Sequence, residues 1–251
     1  MKGWDIFVHS VRLVFRNLDA ALRISLVLYL VYAIAQFWLM SLAPAEVAGT
    51  PGALALTPQQ AVGSLLSMLV TVLVSIWIAV AWHRYVLLEE VPHGWLPRFH
   101  GGILLGYLGR SILLGILVVL ATLVVGMVIG MIGTVTGSSG LIMLGGILGV
   151  AAGIFLFYRL CPILPAGATG QPISLSRAWQ ATQGIGGTVL LLVVLTLLAT
   201  FLLGIPNTLS GDPNSALSRI YSLVVGWPLM LVGISVLTTF YGHFIEGRPI
   251  D

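Results

Sequence analysis

Seven ionisable side chains sit at or just past the ends of long apolar runs: His83, Arg84, Glu89, Glu90, Arg110, Arg159 and His243. Arginines carried on neighbouring runs and brought together make a phosphate pocket, because a guanidinium fork bonds two oxyanion oxygens at once and basic groups at a membrane surface attract anionic headgroups. His83, Arg84, Arg110, Arg159 and His243 are therefore the candidates for an anionic-headgroup site. Held apart, the same charges only anchor helix ends, their stems on apolar surface and their heads in water. Glu89 and Glu90 have Arg84 and Arg98 within reach as ion-pair partners.

A second set is uncharged. Ser25, Tyr29, Tyr32 and Gln36 recur at i, i+4, i+7 and i+11, one face of a helix, and Ser64, Ser67, Thr71 and Ser75 repeat nearly the same spacing. Two such faces in lipid pair through interhelical hydrogen bonds worth about 0.6 to 2 kcal/mol each. Alternatively they enclose a narrow polar cleft for a lipid headgroup or small solute, with Tyr29, Tyr32, Gln36, Ser67 and Thr71 on its walls.

Catalytic patterns are missing. His83, His93 and His100 lack the spacing of a zinc-binding helix, and Gly137-Ser138-Ser139-Gly140 is one residue short of a nucleophile elbow. Cys161 stands alone, which excludes a disulfide framework and a cysteine-rich metal site. The expectation is no catalytic residue, no metal and no cofactor.

The elements that must position these residues follow from composition. Of 251 residues, 58% are apolar and 8% charged, and mean hydropathy is +1.07. Ordinary soluble domains carry about 25% charged residues, so a soluble enzyme, a disordered chain and a nucleic-acid binder are excluded. The net charge of +3 reads as attraction to lipid headgroups. Uncharged runs long enough to cross hydrocarbon as helices occur at about 24–40, 62–82, 111–132, 141–158, 188–205 and 222–241. The fold expected is all-α, with six transmembrane helices as three hairpins in a single membrane domain over residues 1–251.

Placing both termini on one side gathers Lys2, Arg12, Arg16, Arg23, Arg84, Arg98, Arg110, Arg159, Arg177 and Arg248 there and leaves Arg219 alone opposite. Under the positive-inside rule that side is the cytoplasm. The first span, with over twenty residues before it, reads as an uncleaved anchor despite Ala43-Pro44-Ala45 after it. Residues 1–19 have the pattern of an amphipathic helix lying in the interface, with Trp4, Phe7, Val8, Val11, Val14, Phe15 and Leu18 toward lipid. Weaker relatives precede the third span (Trp95, Leu96, Phe99, then Leu104 and Leu105) and the fifth (Ile173, Leu175, Ala178, Trp179), suggesting three units of interfacial segment plus hairpin.

Glycines at four-residue spacing let helix backbones approach closely in lipid. Gly126 and Gly130 on the third span, and Gly145, Gly149 and Gly153 on the fourth, predict a tight pair. No span carries a central ionisable residue, which counts against a proton- or sodium-driven carrier. Pro228 is expected to kink the sixth span.

The stretch Pro172-Ile173-Ser174-Leu175-Ser176-Arg177-Ala178-Trp179-Gln180-Ala181-Thr182, followed by glycines and an apolar run, resembles a group of bacterial six-helix inner-membrane proteins. These include the membrane domain of some glycerophosphoryl diester phosphodiesterases and stand-alone relatives. The likeness implies an accessory membrane role, because the diesterase chemistry belongs to a separate soluble domain, and it carries over no catalytic residue. Ser174 reads as a helix N-cap, Arg177 as a headgroup contact and Trp179 as an apolar anchor.

The reading is a non-enzymatic inner-membrane protein whose cytoplasmic face engages anionic lipid or a membrane-protein partner, with no nucleic acid. Its rivals are a permease or channel for a small solute or lipid, and an enzyme acting on a lipid phosphate.

Overall fold

The computed structural model describes residues 2–41, 45–46, 54–55, 57–210 and 215–250, the side chains of 39–41 and of the two short strands excepted. The side chain of Glu46, and Asp212 and Pro213, therefore lie outside the described set. In chain order the elements are α1 (Lys2–Arg16), α2 (Leu18–Ser41), β1 (Ala45–Glu46), β2 (Leu54–Ala55), α3 (Pro58–Leu88), α4 (Gly101–Thr136), α5 (Ser139–Leu160), α6 (Ile163–Ala168), α7 (Leu175–Ala181), α8 (Gly186–Leu209) and α9 (Ala216–Phe244). The six helices α2, α3, α4, α5, α8 and α9 are each long and apolar enough to cross a membrane. This is an all-α, six-helix membrane protein, with one two-residue antiparallel pairing between β1 and β2. The end carrying both termini is called terminal below, and the opposite end distal.

Helix boundaries follow local chemistry. α3 opens on a capping box: Thr57 Oγ1 accepts from the Gln60 amide at 3.3 Å and the Gln60 side chain accepts from the Thr57 amide at 2.8 Å. Ser138, Ser174 and Ser215 cap α5, α7 and α9 in the simpler way, each side chain accepting a backbone N–H of the first turn. α4 ends at Gly137, whose φ of 67° turns the chain directly into α5.

α4 and α5 form the closest pair. A Cβ on Gly149 would lie 2.6 Å from the Thr122 carbonyl, and one on Gly145 would lie 2.8 Å from the Gly126 carbonyl and the Gly130 amide. Gly153 faces the Thr122 side chain, and Gly126 lies 3.4 Å from the Gly145 carbonyl by the same construction. Gly130 itself has open space at its Cβ position; its backbone is what Gly145 meets. α4 is 36 residues long, roughly 54 Å at 1.5 Å per residue, so it tilts strongly or stands partly outside a hydrocarbon core of about 30 Å. The segment before it has no helix of its own: Leu104 and Leu105 belong to α4, and residues 89–100 are irregular.

α1 packs between α8 and α9 through a stripe different from the one that its large apolar residues suggest. Gly3, Ile6, Ser10 and Val14 are its buried residues. A Cβ on Gly3 would lie 2.8 Å from the Thr188 carbonyl of α8, and the Ser10 hydroxyl is 3.1 Å from Thr239 Oγ1 of α9. Trp4 and Phe15 point outward, each 52% exposed. α1 is thus held by protein on one face and exposed on the other.

α8 and α9 meet at the distal end through Asn207–Ser222, Ser210–Ser218 and Tyr221–Leu203 hydrogen bonds. Between these ties and α1 lies an apolar groove of about 770 Å³, with Phe7, Val11 and Phe15 of α1 along one end and Thr196, Thr200, Val224 and Met230 on its sides. α9 runs unbroken through Pro228. Much of the well-buried core lies toward the terminal end, where Ile6, Tyr107, Tyr158, Cys161, Leu164 and Phe240 pack together, and all six residues of α6 are buried.

Candidate functional site

The two polar faces read from the sequence do meet. Gln36 Nε2 of α2 donates to Thr71 Oγ1 of α3 at 3.2 Å, and the Ser67 hydroxyl donates to the Ala35 carbonyl at 3.4 Å. α9 closes the third side. Tyr29 Oη donates to the Leu223 carbonyl at 2.9 Å, and Trp227 Nε1 donates to Ser25 Oγ at 2.8 Å. Gly226 lets Tyr29 reach that carbonyl, since a Cβ there would lie 3.0 Å from the tyrosine hydroxyl.

Between the three helices these bonds leave a half-open cavity of about 390 Å³, lined by Tyr29, Tyr32, Gln36, Thr71 and Ser75 from one side and by Arg219, Ser222, Gly226 and Met230 from α9. Tyr29, Tyr32, Gln36 and Thr71 thus share one cavity. Ser67 does not line it; it is 2% exposed and ties α2 to α3 beneath. Within the described residues, the hydroxyls of Tyr32 and Ser75 make no hydrogen bond, and Arg219 Nε is enclosed without an acceptor. Among the described residues the cavity therefore offers donors and no carboxylate, histidine or thiol. It can bind an acceptor-rich group.

Arg219, Ser75 and Ser222 were not among the site residues expected from sequence. The available signal for Arg219 was its isolation, the one cation placed by charge sorting at the distal end.

At the terminal end the five candidates are engaged separately. Arg84 pairs with Glu90 (Nη2 to Oε2, 2.6 Å) and donates to the Ala168 carbonyl at 3.1 Å; His100 Nε2 approaches the other Glu90 oxygen at 3.5 Å. This cluster borders a cavity of about 200 Å³ in the α3–α4 loop, which His93 and Arg98 also line. Arg110 lies over α6, where a Cβ on Gly167 would come within 2.7 Å of its guanidinium. His83 is fully buried, its Nδ1 2.8 Å from Thr238 Oγ1 and its Nε2 3.3 Å from Tyr107 Oη. His243 Nδ1 accompanies the Arg248 carbonyl at 3.0 Å.

Arg159 explains the motif at 174–182. Its guanidinium donates to the carbonyls of Thr182 and, at 2.8 Å, Trp179, and lies 4.1 Å from the Trp179 ring centroid. Thr182 Oγ1 returns to the Arg159 carbonyl at 3.0 Å and the Ala178 carbonyl at 2.8 Å. Ser174 caps the helix, buried Ala178 admits the close approach, Trp179 supplies the ring and Thr182 the hydroxyl. The motif locks α7 onto the end of α5.

Among the described residues no group of three or more His, Cys, Asp or Glu could hold a metal ion. No protein family matches the chain, and no curated protein or solved structure is significantly similar to it.

Proposed function

We propose that this multi-pass membrane protein binds a membrane lipid by its headgroup, without chemistry of its own, in the cavity between α2, α3 and α9. The observation that carries the reading is a polar cavity inside membrane-crossing helices whose Tyr32, Ser75 and Arg219 donors have no described partner. Leaving the enclosed Arg219 Nε unpaired costs several kcal/mol, and with the unbonded Tyr32 and Ser75 hydroxyls beside it the cavity invites an acceptor-rich occupant. A lipid is favoured over a soluble solute because the cavity is half-open and includes Phe37, Leu223 and Met230, and Met230 also borders the apolar groove between α8 and α9.

The terminal-end cluster supports a headgroup site less well, because Arg84 and Arg159 are already bonded to protein acceptors. An enzyme reading built on His83 loses its access, since that ring is fully enclosed. The arginine-rich terminal end supports a cytoplasmic position for both termini under the positive-inside rule, and the likeness at 172–182 supports a bacterial inner membrane.

The test is native mass spectrometry of protein extracted in mild detergent. Wild type should retain one lipid through activation that strips the annular ones. Y32F/S75A, which removes two hydroxyls that hold nothing in the fold, should keep its thermal midpoint and lower that retention about tenfold. Equal retention would overturn the proposal.

A further inference from the structure

We infer that the headgroup taken by this cavity is anionic, a phosphate diester without a compensating ammonium, and that Arg219 holds it. The inference rests on the lipid-binding reading and adds the charge of the ligand. Arg219 Nε is closed off from water with no acceptor among the described residues; Arg159 Nε is enclosed in the same way, but the other nitrogens of Arg159 donate to carbonyls, and Arg84 and Arg248 donate to carboxylates and carbonyls. Arg219 is also the fourth residue of α9, where the helix dipole already adds positive potential and a second positive charge is disfavoured unless an anion is present. Charge sorting makes the distal end a costly place for a cation, and ten of the eleven cationic residues avoid it. Among the described residues no carboxylate lines the cavity to neutralise the guanidinium. The unpaired hydroxyls of Tyr32 and Ser75 add donors that a phosphate's remaining oxygens would accept, the usual complement to an arginine fork. A zwitterionic headgroup would bring its own cation beside Arg219, where no described acidic side chain lines the cavity to receive it.

The experiment titrates detergent-solubilised full-length protein with dioleoyl phosphatidylglycerol and dioleoyl phosphatidylcholine, read by native mass spectrometry. Wild type should bind one phosphatidylglycerol at least tenfold more tightly than phosphatidylcholine. R219Q should bring the two lipids to parity with an unchanged thermal midpoint, and R219K should keep part of the preference. A preference that survives in R219Q overturns the anion assignment and leaves the headgroup cavity standing. Y32F/S75A should weaken both lipids while keeping their ratio; no effect on either overturns the cavity itself. D212N should match wild type, and a rise in its phosphatidylglycerol preference would mean that an internal carboxylate already occupies the arginine, overturning the proposal. Glycerol 3-phosphate in millimolar excess should not displace the lipid; displacement would keep the anion but overturn its being a lipid.

Discussion

Arg159 is 6% exposed and its guanidinium meets no carboxylate among the described residues. It is held by backbone oxygens at the C-terminal end of α7, the negative end of a helix dipole, and by the face of Trp179. Removing it leaves the Thr182 carbonyl and the ring without that partner and the Trp179 carbonyl with the Thr182 hydroxyl alone, so R159A should lower stability by roughly 3 kcal/mol, measured as the thermal midpoint in detergent. R159K should recover less than half of the loss, because an ammonium can neither fork between two carbonyls nor stack flat on indole. At this scale the sequence was partly readable. Ser174 as a cap follows from its type and its neighbours, whereas the partner of Trp179 and Thr182 lies about twenty residues upstream, on another helix, and no local spacing links them. His83 was unreadable for the same reason, since its partners Thr238 and Tyr107 come from α9 and α4.

The α4–α5 pair turns that kind of close contact into a property of whole helices. Gly149 has the Thr122 carbonyl 2.6 Å from where its Cβ would be, while Gly146, three residues earlier, has open space. G149V should therefore force the helices apart and cost roughly 2 to 3 kcal/mol, and G146V should be neutral. Comparing the two by thermal unfolding separates packing from helix propensity, which is the same for both. The glycine spacing made this pair legible, because backbone approach in lipid depends on small residues. α1 was read from the opposite criterion. Its large apolar residues marked one stripe, but the bundle grips Gly3 and Ser10 together with Ile6 and Val14, and a scale that ranks residues by hydrophobicity passes over the small ones that fit between two helices.

For the molecule as a whole, six apolar runs were enough to lay out the helices, because hydrocarbon tolerates only fully bonded backbone. A fluorescent protein fused after Asp251 should light up in the cytoplasm, and alkaline phosphatase fused at the same point should stay inactive; the reverse pattern would invert the bundle. The cavity was half legible. Tyr29, Tyr32, Gln36 and Thr71 announced themselves by period, but the third wall comes from α9, about 190 residues later in the chain, and its approach is set by Tyr29 reaching the Leu223 carbonyl past Gly226. Nothing in the local sequence of either helix encodes that meeting.

The seat of α1 has a consequence for biosynthesis. Ser10 and Thr239 are 229 residues apart along the chain, and at about 5 to 20 residues per second a ribosome takes roughly ten to forty-five seconds to get from one to the other. Until the last hairpin is inserted, the first helix made has no groove to enter, and its amphipathic surface must wait on the bilayer. Docking of the amino-terminal segment is then the step that signs off a finished molecule, and a chain truncated before α9 would leave that segment dangling for a protease to find.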